Sequence, residues 1–272
     1  MTDSQDLGAN LVEEIREGMV YDDACRDLED GFEYWIGGHR QTVTSEGPIE
    51  ENGMTGWLVT ARTDFLRAKD PERDGNVSSL GRLAKKLCFC GVAEGEEPGT
   101  WQLVSSVVVH EGIASWIMRP LFQGCTNQFL HCFEWPEPMT ELEPYFEPLK
   151  TTAPGEGDPG LVDAMREQVD TLIKQDSSED KCFLGMEFNQ LVDAFQGPPC
   201  VLCNGDENGL TAEFPFNDRT QMLTVHEKYH ERFGKGIEVL LRLPITESVR
   251  ETSNLALELN EGELAVIHPS YF

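Results

Sequence analysis

Positive charge is what this sequence has least of. Its 272 residues carry 21 Lys and Arg against 49 Asp and Glu, a formal net charge of −28. Nucleic-acid phosphates and anionic lipid headgroups are gripped by Lys and Arg that displace counterions, so a chain this acidic is expected to avoid both. Lys85-Lys86 is too small a basic patch to alter that reading. No stretch approaches eighteen consecutive apolar residues, which excludes a membrane-spanning helix. The opening "MTDSQDLGANLVEEIREG" has no basic n-region and no long apolar run, so no secretory leader is expected. Also missing are a Gly-rich phosphate loop, a Ser nucleophile elbow and the kinase motif set, so the reactions they serve are not expected, nor is a cofactor.

What is present reads as a folded protein. Apolar residues make up 39% and charged residues 26%, and the length suffices for two ordinary domains or one large one. The eight cysteines (Cys25, Cys88, Cys90, Cys125, Cys132, Cys182, Cys200 and Cys203) sit mostly within apolar stretches. Buried thiols of that kind suit a reducing cytoplasm, the expected location. The acidity itself fits either a basic partner or a saline habitat.

Periodicity then lays out the elements. Leu7, Leu11, Val12, Ile15 and Met19 form one helical stripe. "ACRDLEDGFEYWIGGHRQTVTS" is expected to pass from helix to strand, turning at Gly37-Gly38. "GWLVTARTDFLR" alternates as a strand, and Leu80, Leu83, Ala84, Leu87 and Cys88 space as a helix. "TWQLVSSVVVHEG" is β-branched and apolar on both faces, the mark of a strand inside its sheet. "IASWIMRPLFQGCTNQFLHCF" returns to helical spacing, with Pro120 expected to kink it or mark its first turn.

From Glu134 to Gly160 six prolines and interleaved acids predict a linker between a first domain (1–133) and a second (161–272). In the second, "LVDAMREQVDTLIK" and "MEFNQLVDAFQGPP" read as helices. "CVLC", "LTAEFPF", "QMLTV" and "IEVLLRLP" read as strands, with "NGDENG" as a hairpin turn. Ser248 and Glu251 make a capping box for a further helix, and "ELAVIHPSYF" closes the chain as a strand. The expected fold class is α+β: two similar domains, each an antiparallel sheet packed with helices, related as a diverged duplication.

Three groups of residues have a chemical reading. His226-Glu227-Lys228-Tyr229-His230 matches H-E-x-x-H, in which two histidines one helical turn apart hold zinc and the glutamate is general base. Lys228 beside the metal, the β-leaning "QMLTV" just before and the lack of a marked third ligand argue instead for a strand that reverses at Gly234. Cys200 and Cys203 form a lone C-x-x-C in a strand, where residues three apart face opposite ways, so they read as structural thiols. Arg62, Asp64, His110 and Glu111 stand at the ends of two strands expected to be neighbours, where they would form either salt bridges or an acid–base group.

The order of elements resembles the small type III secretion chaperones (the Tir-chaperone family). The likeness runs from the Leu7 helix through "GWLVTART", "LGRLAKKL" and "WQLVSSVVVHEG" to the Ile113 helix, and the second half repeats it less completely. The resemblance implies a non-enzymatic module that presents grooves to an extended partner segment, with exposed parts of Trp57, Trp101 and Trp116 among the contacts. The expected function is therefore a cytoplasmic protein-binding module, a chaperone or regulatory adaptor. Its partner would be another protein, basic or bearing an exposed apolar segment. The alternative is a hydrolase, zinc-dependent through His226, Glu227 and His230 or metal-free around Asp64 and His110.

Overall fold

The computed structural model describes residues 6–20, 22–51, 54–71, 80, 87, 90–111, 114–133, 142–167, 202–206, 209–216, 219–230 and 234–242. They fall into two compact units that divide near Arg166. The fold is α+β with antiparallel sheets.

The first unit opens with helix α1 (Leu7–Met19), whose buried stripe of Leu11, Val12, Ile15 and Met19 is the one the spacing predicts. Asp6 caps it, accepting a 2.8 Å hydrogen bond from the Ala9 N–H and so satisfying a donor the helix cannot. A meander follows: β1 (Cys25–Asp27), β2 (Gly31–Ile36), β3 (His39–Glu51) and β4 (Met54–Ala68). Gly37 and Gly38, both at positive φ, make the β2–β3 turn. β5 (Gly91–Glu94) and β6 (Thr100–His110) extend the sheet in the order β1-β2-β3-β4-β6-β5. β6 therefore lies inside the sheet, and all but the last few of its residues are buried.

Two expectations are corrected here. "ACRDLED" does not begin as a helix: Cys25–Asp27 pairs with Phe32–Tyr34, a short and charged edge strand. The Pro/Glu-rich stretch is not simply a linker. Its described part supplies β7 (Phe146–Pro148), which pairs with Leu66–Ala68 of β4 where β4 runs on past the start of β3. Beyond it the Leu149 N–H donates to the Phe65 carbonyl, the Thr151 N–H to the Gly38 carbonyl, and the Trp35 indole to the Thr151 hydroxyl. The Asp158 and Gly157 N–H groups end on the carboxylates of Asp22 and Asp23.

Helix α2 (Ala114–Phe133) lies with α1 against the sheet, burying Ile117, Leu121, Cys125 and Phe129 at four-residue spacing. Opposite them the strands alternate, so Phe32, Tyr34, Val43, Val59, Ala61, Leu103 and Val107 form the facing layer, and Tyr34 meets Phe129 edge-on at 6.3 Å. Each such side chain contributes about 1.5–3 kcal/mol when fully buried. A bulge between Asp64 and Leu66 breaks the alternation, so Phe65 and Leu66 both enter a second cluster with Leu80, Trp101, Leu142 and Phe146. Among the described residues no helix is long and apolar enough to cross a membrane.

The second unit contains a four-stranded meander: β8 (Leu202–Asp206), β9 (Gly209–Phe216), β10 (Arg219–His230) and β11 (Gly234–Arg242), in the order β11-β10-β9-β8. Asp206 pairs with Gly209, which is the hairpin read from "NGDENG". The helix proposed for "MEFNQLVDAFQGPP", the capping box at Ser248 and the closing strand lie outside the described residues, as do all but Leu80 and Leu87 of the "LGRLAKKLC" helix.

Candidate functional site

The antiparallel register disperses the polar group expected in the first unit. Arg62 and Asp64 are near the end of β4, and β6 runs the other way, so Asp64 faces Gln102 while His110 faces Gly56. Eight residues of strand separate the two sites, about 26 Å. Glu111 follows His110 at the far end and is exposed. The metal-free hydrolase centre around Asp64 and His110 is not assembled.

Asp64 belongs instead to a ladder of charges crossing five strands. Arg26 on β1 pairs with Glu33 on β2, and Arg40 on β3 reaches Glu33 at 3.2 Å and Asp64 at 2.9 Å. Gln102 on β6 completes it, donating to Asp64 Oδ1 at 2.9 Å. Burial works against the Arg40 charge, but the hydrogen bond and attraction of Asp64, with Glu33 and Glu96, outweigh it and hold its pKa above the ordinary value. On the opposite, helix-facing side Gln41, Thr63, Ser105 and Gln128 join α2 to the sheet. Gln41 Nε2 donates to Thr63 Oγ1 at 2.7 Å, Thr63 Oγ1 to Gln128 Oε1 at 2.6 Å, and Gln128 Nε2 to Ser105 Oγ at 2.7 Å. Gln41 Oε1 is buried without a partner among the described residues; the bonds of both clusters run within the fold, which is structural work.

The histidine pair lies in a strand. His226 pairs with Glu238 and His230 with Gly234, on a ribbon that reverses at Gly234. Strand geometry separates the two Cα atoms by about 13 Å, where a helix would bring them to about 6 Å along its axis. The helical turn that a zinc peptidase needs is not formed. Of the C-x-x-C pair, Cys203 is half-buried on β8 and Cys200 lies outside the described residues. Burial pushes the Cys125 thiol up to about 12 and raises Cys132 as well, so neither is an activated nucleophile.

Trp57 and Trp101 are buried, 5% and 6% exposed, so neither offers the bare surface the resemblance implied. Trp101 sits in the second cluster. The side chain of Trp116 lies outside what is described. Trp57 differs from Trp101, because it lines a cleft of about 560 Å³. One wall is α1 and its cap, with Asp6, Ala9, Val12, Glu13 and Arg16. The other is the β1–β2 connection, with Asp27, Leu28, Glu29, Asp30 and Gly31, and Ser45 and Gly47 of β3 complete it.

Two glycines let the indole sit there. A Cβ on Gly8 would collide with Ser45 Oγ and lie 2.6 Å from Trp57 Cβ. A Cβ on Gly47 would lie 2.8 Å from Trp57 Cδ1. The Trp57 Nε1–H is buried and has no acceptor among the described residues. Charge in the cleft is one-sided, with five carboxylates and one guanidinium. Arg16 is already held by Asp27 at 3.1 Å and Glu13 at 3.7 Å, while Glu29 and Asp30 are exposed. Sequence reading passed over this place because its acids come from "DLEDG" and from α1, which only folding brings together. A glycine inside the first turn of α1 was the available signal.

No protein-family model matches the chain, no curated protein matches its sequence, and no solved structure matches its fold.

Proposed function

We propose that this chain is a non-enzymatic, cytoplasmic protein-binding module, chaperone-like or adaptor-like, that takes an extended segment of another protein in the cleft between α1 and the sheet. The observation that carries this reading is the cleft itself: a lined hollow over Trp57, with side-chain anions on both walls and a buried indole donor in its lining. Grooves of this kind recognise chain segments through a few anchor points. The antiparallel meander in each unit supports the view that the two are diverged copies of one domain, two secretion-chaperone-like copies in tandem. The high negative charge suits a soluble binder whose partner is steered in by attraction.

The test is a titration of the full chain with short extended peptides of three charge classes, basic, neutral and acidic, followed by the Trp57 indole N–H resonance. At least one class should shift it saturably, and Ala9→Arg, which fills the cleft from an exposed helix position, should abolish the shift. If no class moves that resonance, the reading fails.

A further inference from the structure

We infer that the face of the first sheet turned away from α1 and α2 docks a segment of another protein that sets aliphatic side chains beside lysine or arginine. The contact is made at one end of the sheet, by Ile49, Leu58 and Val108 around Gly56. This surface is separate from the cleft and does not rest on it, because Trp57 turns inward toward α1 while its neighbours Gly56 and Leu58 turn outward. Alternation predicts polar residues on a sheet face left in water. Thr42, Thr44, Thr60, Arg62 and Ser106 obey it on the outward rows of β3, β4 and β6. The rule breaks at Ile49, Leu58 and Val108. Val104, the other outward aliphatic of β6, is already buried.

Exposure and charge carry the inference. Among the described residues, Ile49 and Val108 are the large apolar side chains left exposed, at 40% and 39%, and Leu58 is half-buried beside them. They form one patch. Gly56 puts no side chain between Ile49 on β3 and His110 on β6, and Val108 leans toward it, so that a Cβ on Gly56 would lie 2.9 Å from Val108 Cγ1. Isoleucine and valine are stiff at χ1, so covering them costs little rotamer entropy. The formal charges on these strand ends are of one sign: Glu46 stands across from Leu58, Glu111 follows His110, and both are exposed. Arg62, the nearest outward cation of β4, is four residues from Leu58, about 13 Å away. A second copy would bring the same acids against the patch, and an anionic membrane would be repelled by them. A segment with aliphatic and basic side chains complements both the patch and its rim.

The experiment measures binding of labelled Leu/Lys, Ser/Lys and Leu/Glu peptides by fluorescence anisotropy, to the full chain and to the full chain carrying Ala9→Arg, which fills the cleft. Both chains should bind the Leu/Lys peptide most tightly, and less tightly as salt rises. Ile49→Thr with Val108→Thr removes apolar surface but keeps β-branched residues at exposed strand positions. In the Ala9→Arg chain this double variant should weaken the Leu/Lys peptide by about threefold to tenfold. Glu46→Gln with Glu111→Gln should also weaken it and flatten its salt dependence. Circular dichroism of each variant separates loss of binding from loss of fold. Binding that Ala9→Arg abolishes and the double variant leaves intact would overturn this inference and leave the cleft reading standing. Equal binding of the Ser/Lys or Leu/Glu peptide overturns it too, as does self-association of the chain that the double variant removes. Failure of the Leu/Lys peptide to bind overturns it as well, while the cleft reading is decided separately by the Trp57 resonance.

Discussion

Arg40 and Asp64 meet across β3 and β4 with Nε 2.9 Å from Oδ2, the guanidinium side chain 26% exposed and the carboxylate 4%. Asp64 also holds Gln102, so its removal strands partners on both neighbouring strands. Asp64→Ala is expected to lower stability by about 3 kcal/mol, in the range seen when one member of a buried pair is deleted. Urea unfolding followed by circular dichroism measures it. A loss below about 1 kcal/mol would show that water replaces the pair at little cost.

The Trp57 setting makes an opposite demand at Gly8. Alanine is the better helix former by about 1 kcal/mol, and on propensity alone Gly8→Ala should stabilise. A Cβ there would lie 2.6 Å from Trp57 Cβ, and overpacking a well-filled site costs about 1–3 kcal/mol. Packing should win, with a net loss read as a lower melting temperature. A rise would mean the indole yields easily.

Gln128 is fully buried and holds Ser105 and the Ala61 carbonyl while accepting from Gln41 and Thr63. Gln128→Leu keeps the volume and removes all four of these hydrogen bonds, so a loss of about 2 kcal/mol or more is expected. Hydrogen exchange should show α2 loosening first. A neutral result would assign the network to specificity of packing and not to stability.

His39 gives the acid limb of the stability profile a defined origin. Its Nδ1 donates to the Asp64 carbonyl at 3.1 Å and its ring stands edge-on to Phe133. Burial, with the Lys150 charge in support, holds its pKa below the ordinary 6.5 despite the Asp64 contacts, so the folded protein keeps the ring neutral. As pH falls through about 6.5 the unfolded chain takes up the proton first, and stability declines until the folded ring protonates as well. His39→Gln should flatten that part of a stability-versus-pH curve. An unchanged slope would place the effect elsewhere.

The strand at His226–His230 predicts that stripping metal with a chelator leaves the melting curve unchanged and that the chain does not retain stoichiometric zinc. Elemental analysis after purification without affinity histidines decides it.

Local pattern was readable wherever neighbours in sequence are neighbours in space. The α1 stripe, the Gly37-Gly38 turn, the strands "GWLVTART" and "WQLVSSVVV" and the "NGDENG" hairpin are all settled by period and turn chemistry. Register was not readable. Two strands known to be neighbours can set Asp64 beside His110 or far from it, and their antiparallel direction chose the second. The short Cys25–Asp27 strand carries helix-tolerant residues and owes its form to its ladder with β2. The proline-rich stretch looked like a tether because its partners, Asp22, Asp23 and Gly38, lie more than a hundred residues earlier.

That stretch also decides where the chain can be cut. An expression boundary placed after Phe133, the natural choice from composition, would strip an outer rib from β4 and leave the Trp35 indole and the Gly38 carbonyl facing solvent. Fragments meant to keep the first sheet whole should therefore run at least past Asp158, and shorter ones should prove insoluble or prone to dimerise along the bared edge.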